Sequence, residues 1–205
     1  MKEANSALSF RYRGLIGVIL LLPIPLLLIF SEPNVSDGSI LDIVTNFFGW
    51  FLFVSYVFFR LWPTLYVGGR KDRELQTQGP YSITRNPLYF GSLCFALSAA
   101  FFCKSIILIV LIFILGWIYS NWVVVSEENF LRSLFGKTYD EYCRRVPRLI
   151  PNISLYQTNK SIQVELRPLE KEVRRCVYAA LMPVVIEILT HLRLLPGWPH
   201  FFKML

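Results

Sequence analysis

Histidine is nearly absent from this chain. The 205 residues include two histidines, His191 and His200, and both lie near the C-terminus. A histidine-ligated metal site, or a catalytic triad with histidine as its base, needs imidazoles beside the other functional groups. The scarcity argues against either kind of centre in the body of the protein, and no metal site is predicted.

Cysteines are few and lack the spacing of a metal or disulfide framework. Cys94 and Cys103 fall in an apolar run, whereas Cys143 and Cys176 fall in basic segments, and no C-x-x-C pair occurs. Such pairs are typical of zinc sites and redox motifs. We therefore expect four reduced thiols.

Charged residues make up 17% of the chain, against about a quarter in a soluble domain. Hydrophobic residues make up 54% and are gathered into long runs, which indicates a protein embedded in the lipid bilayer. We expect a single membrane domain over residues 1–205, with N-terminal helices (1–69), a core (70–151) and a C-terminal extension (152–205). Nothing indicates a nucleic-acid partner.

Four apolar runs cover residues 14–30, 41–62, 88–103 and 106–125, each near the roughly 20 residues that cross a bilayer. The first lacks a signal-peptide cleavage site and is expected to be a retained anchor. Lys104 is almost the whole connection between the third and fourth, which predicts a tight helical hairpin. The fold class is an all-α, multi-pass membrane protein with about four transmembrane helices.

The basic residues predict the topology. No lysine or arginine occurs between residues 31 and 41, whereas ten occur from 132 to 175. Cytoplasmic loops carry the excess of lysine and arginine. The N-terminus and residues 126–175 are therefore expected to be cytoplasmic.

The tail after the hairpin should be a cytoplasmic amphipathic element, with a helix through Leu134, a turn at Gly136 and a second helix over residues 138–145. The polar stretch 152–170 is expected to be irregular or weakly stranded. Residues 177–205 are apolar but interrupted by proline and charge, which leaves a fifth span, a re-entrant element or an interfacial helix open. We favour the interface.

Two polar clusters border the hairpin on its cytoplasmic side. Residues 79–89 precede the third helix, and residues 126–129, with Glu127 and Glu128, follow the fourth. Because the two helices are antiparallel, the clusters must lie close together. Polar side chains at membrane depth are costly and indicate a functional site, although Arg85 alone can be read as a membrane anchor and the tyrosines as an aromatic belt.

The sequence "GPYSITRNPLYFGSL" resembles the G-x-Y-x-x-x-R-H-P-x-Y-x-G motif of the isoprenylcysteine carboxyl methyltransferases and related integral membrane methyltransferases. The sequence "EENFLRSLFGKTYDEYCRRVPRLIP" resembles their E-E-x-x-L-x-x-x-F-G-x-x-Y-x-x-Y-x-x-R-V-P-x-x-x-P signature. The resemblance covers about residues 70–151. It implies that the core binds S-adenosylmethionine at the cytoplasmic face and passes a methyl group to a lipophilic or lipidated acceptor from the bilayer.

Carried over by position, the resemblance also implies site residues. The implied cofactor-binding residues are Arg73, Glu74, Leu75, Gln76, Tyr81, Arg85, Asn86, Pro87, Leu88, Tyr89, Glu127 and Glu128. A glutamate can pair with the ammonium group of the cofactor, and tyrosine faces attract its sulfonium. Tyr89 and Glu127 are the implied catalytic residues, since an amine acceptor must lose a proton.

Two departures from the family pattern narrow these expectations. Asn86 replaces the histidine of the first motif, and an amide keeps hydrogen-bonding capacity but cannot titrate. The isoprenylcysteine enzymes carry an arginine shortly before the acidic pair, where this chain has "NWVVVS". A lipid, quinone, phenol, thiol or amine acceptor therefore stays open.

Two rival readings remain. Membrane sterol and steroid reductases look similar in this region and bind NADPH, and a non-catalytic protein that kept the pocket is also compatible with Asn86. A further expectation concerns Arg144, Arg145 and Arg148, which should contact lipid phosphates or cover the pocket.

Overall fold

The computed structural model describes residues 31–32, 35, 38–68, 74–192, 195–198 and 202–203. The apolar run over residues 14–30 and the predicted site residue Arg73 lie outside this part. The helices are α1 (Ile40–Val67), α2 (Pro80–Ile83), α3 (Pro87–Phe102), α4 (Ile106–Tyr119), α5 (Val125–Arg145), α6 (Leu166–Ala179) and α7 (Leu181–Leu192). The two-residue strands β1 (Ser31–Glu32) and β2 (Phe202–Lys203) pair in parallel.

The all-α membrane fold predicted from hydropathy is confirmed. Within the described residues three helical stretches are long and apolar enough to cross a membrane: Ile40–Val67, Ile106–Arg145 and Leu166–Leu192. The apolar helix Pro87–Phe102 is shorter. The last of the three stretches has the length that the fifth-span alternative requires, and its favoured placement at the interface stays a prediction.

Helices α1 and α3 pack closely because small residues lie at their contact. A Cβ atom at Gly49 would lie 2.8 Å from the Phe102 ring, and one at Gly91 would lie 3.1 Å from the Cβ of Phe59. The buried Ser98 hydroxyl donates to the Gly49 carbonyl at 2.8 Å. Small residues and cross-helix hydrogen bonds are the usual means of holding membrane helices together.

The connection between α3 and α4 is as tight as predicted. Lys104 adopts a positive φ of 54°, and its ammonium lies 2.7 Å from the Oδ1 atom of Asp42 in the first turn of α1. Ser105 then caps α4 by accepting a hydrogen bond from the amide of Leu108 at 3.3 Å. One ion pair thus fixes the hairpin tip to the start of α1.

The predicted helices and the predicted turn at Gly136 are present in the tail, and residues 156–165 contain no helix. A single helical path runs from α4 through a π-helical segment, Ser120–Val124, into α5, which bends at Gly136 (φ 53°, ψ −130°). The prediction that residues 152–170 are irregular is wrong for the last five, because α6 begins at Leu166.

Helix α6 is fastened to α1 by a buried ion pair and a shared apolar cluster. The Arg60 guanidinium lies 2.7 Å from the Glu172 carboxylate. Beside this pair, Cys176 packs in one cluster with Tyr56 and Cys94. All four cysteines are free thiols, as expected.

We predict that Gly49→Ala lowers the free energy of unfolding by about 1–3 kcal/mol, because the new methyl group would overpack the contact with Phe102. Gly116→Ala is the control, since its Cβ would meet one flexible Leu93 methyl at 3.2 Å and alanine suits a helix better than glycine. Thermal unfolding in detergent measures both. Equal midpoints for the two variants would contradict the close α1–α3 contact.

Candidate active site

Main-chain hydrogen bonds join the segment before α3 to the segment after α5. The amide of Arg85 donates to the carbonyl of Pro147 at 2.9 Å, and the amide of Asn152 donates to the carbonyl of Ile83 at 2.9 Å. The fully buried Thr84 hydroxyl donates to two further carbonyls of the same loop. The two predicted motifs therefore form one unit, as the antiparallel hairpin implied.

Gly79 begins this unit in a backbone conformation that favours glycine. Its φ of 59° and ψ of −126° are those of a tight turn that requires positive φ. Its amide donates to the Gln157 carbonyl at 2.7 Å. A Cβ atom here would lie 2.3 Å from the Tyr66 ring, whose hydroxyl is 2.8 Å from that of Thr158.

Glu128 lies at the centre of the polar residues and is only 3% exposed. Its carboxylate accepts hydrogen bonds from Nδ2 of Asn86 at 3.2 Å and from Nε of Arg148 at 3.2 Å. The Nε atom of Arg85 lies 3.5 Å from the same carboxylate. A buried carboxylate needs partners at close range. For Glu128 these partners are already supplied by Asn86, Arg148 and Arg85.

Asn86 fills the position of the motif histidine by using both hydrogens of its amide. Nδ2 donates to Glu128 and also to the carbonyl of Arg148 at 2.9 Å. A primary amide presents two donors on one nitrogen, whereas an imidazole presents at most one on each. The asparagine is therefore a suitable donor for two acceptors that lie side by side.

Glu127 points to a different partner. The hydroxyl of Tyr89 donates a hydrogen bond to the Glu127 carboxylate, and the Tyr89 ring meets the Tyr119 ring edge-on at 5.6 Å between centroids. Glu127 and Tyr89 are both half-buried. The acidic pair is thus divided between one buried glutamate and one that a ligand can reach.

Tyr81 lies close to this acidic group. Burial of the phenol raises its pKa, and the negative charge of Glu127 acts in the same direction. The Tyr81 carbonyl accepts a hydrogen bond from the Tyr142 hydroxyl at 2.7 Å. Tyr81 therefore stays protonated near neutral pH and presents an aromatic surface to the site.

A π-helical segment directly precedes the acidic pair. Ser120–Val124 interrupts the path from α4 to α5, and Val124 is almost fully buried. One extra residue per turn rotates the following side chains around the helix axis, and such segments are frequent at functional sites. Sequence reasoning missed it, because the segment has no compositional mark.

The other predicted site residues differ in how deeply they are buried. Leu75 packs against the buried cluster of Tyr139, Tyr142 and Val146. Glu74 is exposed and Gln76 half-buried. Pro87, the first residue of α3, is buried, and Leu88 is half-buried.

Sequence reasoning did not include two contact residues in the predicted site: Tyr119 and Tyr142. The second motif contains Tyr142, so its place in that motif was an available signal. Tyr119 lies in an apolar run, where one more aromatic residue carries no such signal.

The contacts of the three tail arginines bear on the predicted covering role, and the predicted contact with lipid phosphates stays a prediction. Arg148 contacts Glu128 and so covers the centre. Arg144 and Arg145 instead line a groove of about 700 Å³ on the side of the 147–155 loop. Of the predicted cofactor residues, the groove shares Arg85 alone.

Comparison with known proteins matches residues 42–138 to the family model described as phospholipid methyltransferase. This part of the chain is similar to the phospholipid methyltransferase family. The matched range contains α3, α4 and the acidic pair. It ends just past Gly136 and therefore before the loop that pairs with residues 79–86.

The chain is also similar to three named proteins. The cobalt-zinc-cadmium resistance protein CzcN of Cupriavidus metallidurans is 32% identical over 128 residues, which is 62% of this chain and 59% of that protein. The nickel-cobalt-cadmium resistance protein NccN of Alcaligenes xylosoxydans xylosoxydans is 31% identical over 140 residues, which is 67% and 65%. Protein-S-isoprenylcysteine O-methyltransferase of Schizosaccharomyces pombe is 32% identical over 83 residues, which is 40% and 35%.

The predicted resemblance to the isoprenylcysteine methyltransferases is thereby confirmed. The chain spans about three fifths of the length of the two resistance proteins. No solved structure matches the chain.

We predict that Gly79→Ala destabilises the fold more than Gly136→Ala does. The two glycines share nearly the same φ and ψ, so alanine costs a similar backbone strain of about 1–3 kcal/mol at both. Only at Gly79 does the new Cβ also collide with Tyr66, whereas nothing lies within 4 Å at Gly136. Thermal unfolding of both variants measures the steric part, and equal losses would contradict the contact with Tyr66.

We predict that Asn86→Ala lowers the free energy of unfolding by about 1–3 kcal/mol, because the buried Glu128 carboxylate and the Arg148 carbonyl each lose one hydrogen-bond donor. Asn121→Ala is the control, since this exposed amide donates only to its own helix at Trp117. Thermal unfolding in detergent compares the two. If Asn86→Ala is as stable as the control, the bridge between Glu128 and the loop does not hold the site together.

Proposed function

We propose that this chain is an S-adenosylmethionine-dependent membrane methyltransferase that acts on a lipophilic acceptor at the cytoplasmic face. The observation that carries the proposal is the meeting of the two motifs at the end of the α3–α4 hairpin opposite Lys104. There Tyr89 contacts Glu127 while Asn86 and Arg148 contact Glu128. The phospholipid methyltransferase family over residues 42–138 supports the same activity.

The side chains present fit the chemical groups of the cofactor. S-adenosylmethionine carries an ammonium, a sulfonium and a carboxylate. Glu127, which is half-buried, can pair with the ammonium, and the rings of Tyr81 and Tyr89 suit the sulfonium. The Nε atom of Arg85 is buried without a hydrogen-bond partner among the described residues, so a ligand carboxylate would satisfy it.

The remaining residues that the motifs imply lie next to these proposed cofactor-binding residues in the sequence. Pro87 and Leu88, at the first turn of α3, offer backbone and apolar contacts to the adenosine. Glu74, Leu75 and Gln76 lie on the segment that leads into Gly79, and we propose that these residues and Arg73 contribute to binding of the cofactor.

When bound, the cofactor supplies an electrophilic methyl group for in-line displacement by a nucleophile. The main contribution of the chain is to hold the cofactor and the acceptor in line with each other. Such alignment of two reactants lowers the activation barrier by about 7–11 kcal/mol. If the acceptor is a protonated amine or a phenol, the Glu127 carboxylate takes its proton, with the Tyr89 hydroxyl holding that carboxylate in place. A thiolate or carboxylate acceptor needs no base.

The positive-inside distribution sets the orientation in this proposal. The N-terminus and residues 126–175 face the cytoplasm, which supplies the soluble cofactor, while the bilayer supplies the acceptor. The whole chain acts as one membrane domain, with residues 70–151 as its cofactor-binding core.

Two of the relatives are named for resistance to metals, and we do not propose a metal-binding role for this chain. A metal site needs several histidine, cysteine or carboxylate ligands together. Across the described ranges no group of three or more such residues lies within reach of a common ion.

Ligand-dependent thermal stability of the detergent-purified protein tests the proposal. At a hundred times its dissociation constant, a ligand adds about 2.7 kcal/mol of stability. We expect S-adenosylmethionine and S-adenosylhomocysteine to raise the unfolding midpoint and NADPH to leave it unchanged. A response to NADPH alone would assign the protein to the reductases, and no response to any of the three would contradict a working cofactor site.

Glu127→Gln is the informative variant for this test, because Glu128 holds Asn86 and Arg148 and its loss would disturb the fold. We expect Glu127→Gln to keep its midpoint without ligand and to lose most of the shift with both adenosyl ligands. Glu187→Gln, at an exposed pair with His191, is the control and should keep the full shift.

A further inference from the structure

A basic and apolar groove lies beside the proposed cofactor site. We call it the interfacial groove, and it is formed by the end of α5 and the loop that follows. Its volume is about 700 Å³. The lining residues that matter here are Arg85, Arg144, Arg145, Pro147, Ile150 and Ile153.

The groove lies at the level where two apolar helices end. Asn152 of the lining loop bonds to Ile83, four residues before α3 begins at Pro87. The next part of the loop reaches α1, since the Tyr156 ring lies 5.8 Å from the ring of Trp62 near the end of that helix. If α1 and α3 cross the bilayer, the groove is at the headgroup region.

Two isoleucines project from this loop into the surroundings. Ile150 is 76% exposed and Ile153 is 79% exposed. The loop that carries them is fixed, because Thr84 bonds to the carbonyl of Leu149 at 3.0 Å and the Asn152 side chain caps the turn at Ser154. Their exposure therefore belongs to a rigid surface, and exposed apolar groups of this kind indicate a binding site for an apolar partner.

The groove is also lined by two cations. Arg144 and Arg145 are exposed in the last turn of α5, and neither forms an ion pair with any residue that the structure describes. Arg148, three residues on, does pair with Glu128. Arginines in the last turn also suit the helix dipole, but that role does not require exposed isoleucines in the same groove.

We propose that the interfacial groove binds the phosphate of an anionic phospholipid headgroup through Arg144 and Arg145, while Ile150 and Ile153 contact its acyl chains. Arginine is well suited to phosphate, and basic clusters next to membrane helices attract anionic lipids. A ligand with an anionic head and an apolar tail matches both the arginines and the isoleucines that line the groove. This binding does not depend on the methyltransferase activity.

The test uses the full chain in neutral detergent with added phosphatidylglycerol, phosphatidylcholine or inorganic phosphate, read by thermal unfolding. We expect phosphatidylglycerol to raise the unfolding midpoint in a saturable manner and the other two to have little effect. An equal rise with phosphatidylcholine would overturn the selectivity for an anionic headgroup. An equal rise with inorganic phosphate would show a free-anion site and overturn the lipid assignment.

Arg144→Gln combined with Arg145→Gln should weaken the apparent affinity for phosphatidylglycerol roughly tenfold or more, and lysine at both positions should restore most of it. Ile150→Ser combined with Ile153→Ser should weaken binding of the long-chain lipid and leave that of a short-chain phosphatidylglycerol nearly unchanged. All four side chains are exposed, so the variants are expected to fold.

The control removes two exposed positive charges elsewhere, by Lys160→Gln combined with Arg174→Gln. It should keep the response to phosphatidylglycerol. If the control loses as much affinity as the Arg144–Arg145 variant, or if that variant loses none, the proposed site is wrong.

Discussion

The buried carboxylate of Glu128 is the interaction on which the arrangement of the site depends. A charge removed from water must be met by donors at close range. Here the hydrogen-bond donors are Asn86 before α3 and Arg148 after α5, and the guanidinium of Arg85 adds a positive charge at 3.5 Å. Parts of the chain that are far apart in sequence are thereby brought to one point at the end of the apolar hairpin. A buried ion pair of this kind fixes a geometry more surely than it adds stability.

The neighbouring glutamate is free to have a different role because consecutive helical residues point about 100° apart. Glu128 faces the arginines, while Glu127 faces Tyr89. One residue of the pair therefore secures the fold of the site, and the other remains within reach of a ligand. The π-helical segment just before them sets the rotation at which this division occurs.

Much of this arrangement was predictable from the sequence. Hydropathy marked α1, α3 and α4, the single lysine marked the hairpin tip, and Gly136 marked the bend in the tail. The antiparallel hairpin then required the polar clusters to meet. The start of α6 at Leu166 was missed because polar residues dominate that stretch. The π-helical segment and the bonds of Arg85 and Asn152 were missed because main-chain geometry of this kind has no side-chain pattern.

The frame around the site is built largely from peptide groups, and this has a consequence for how the family can diversify. A hydrogen bond between an amide and a carbonyl does not depend on the side chain of either residue, provided that the donor is not proline. Apart from Gly79, where a Cβ atom would collide with Tyr66, the segment can therefore exchange side chains over residues 80–86 while its backbone stays registered against the loop over residues 147–157. Asparagine at position 86 is one such exchange, since the backbone that supports it is held by its neighbours. New acceptor preferences can arise in such a pocket by point substitution, without rebuilding the scaffold that presents them.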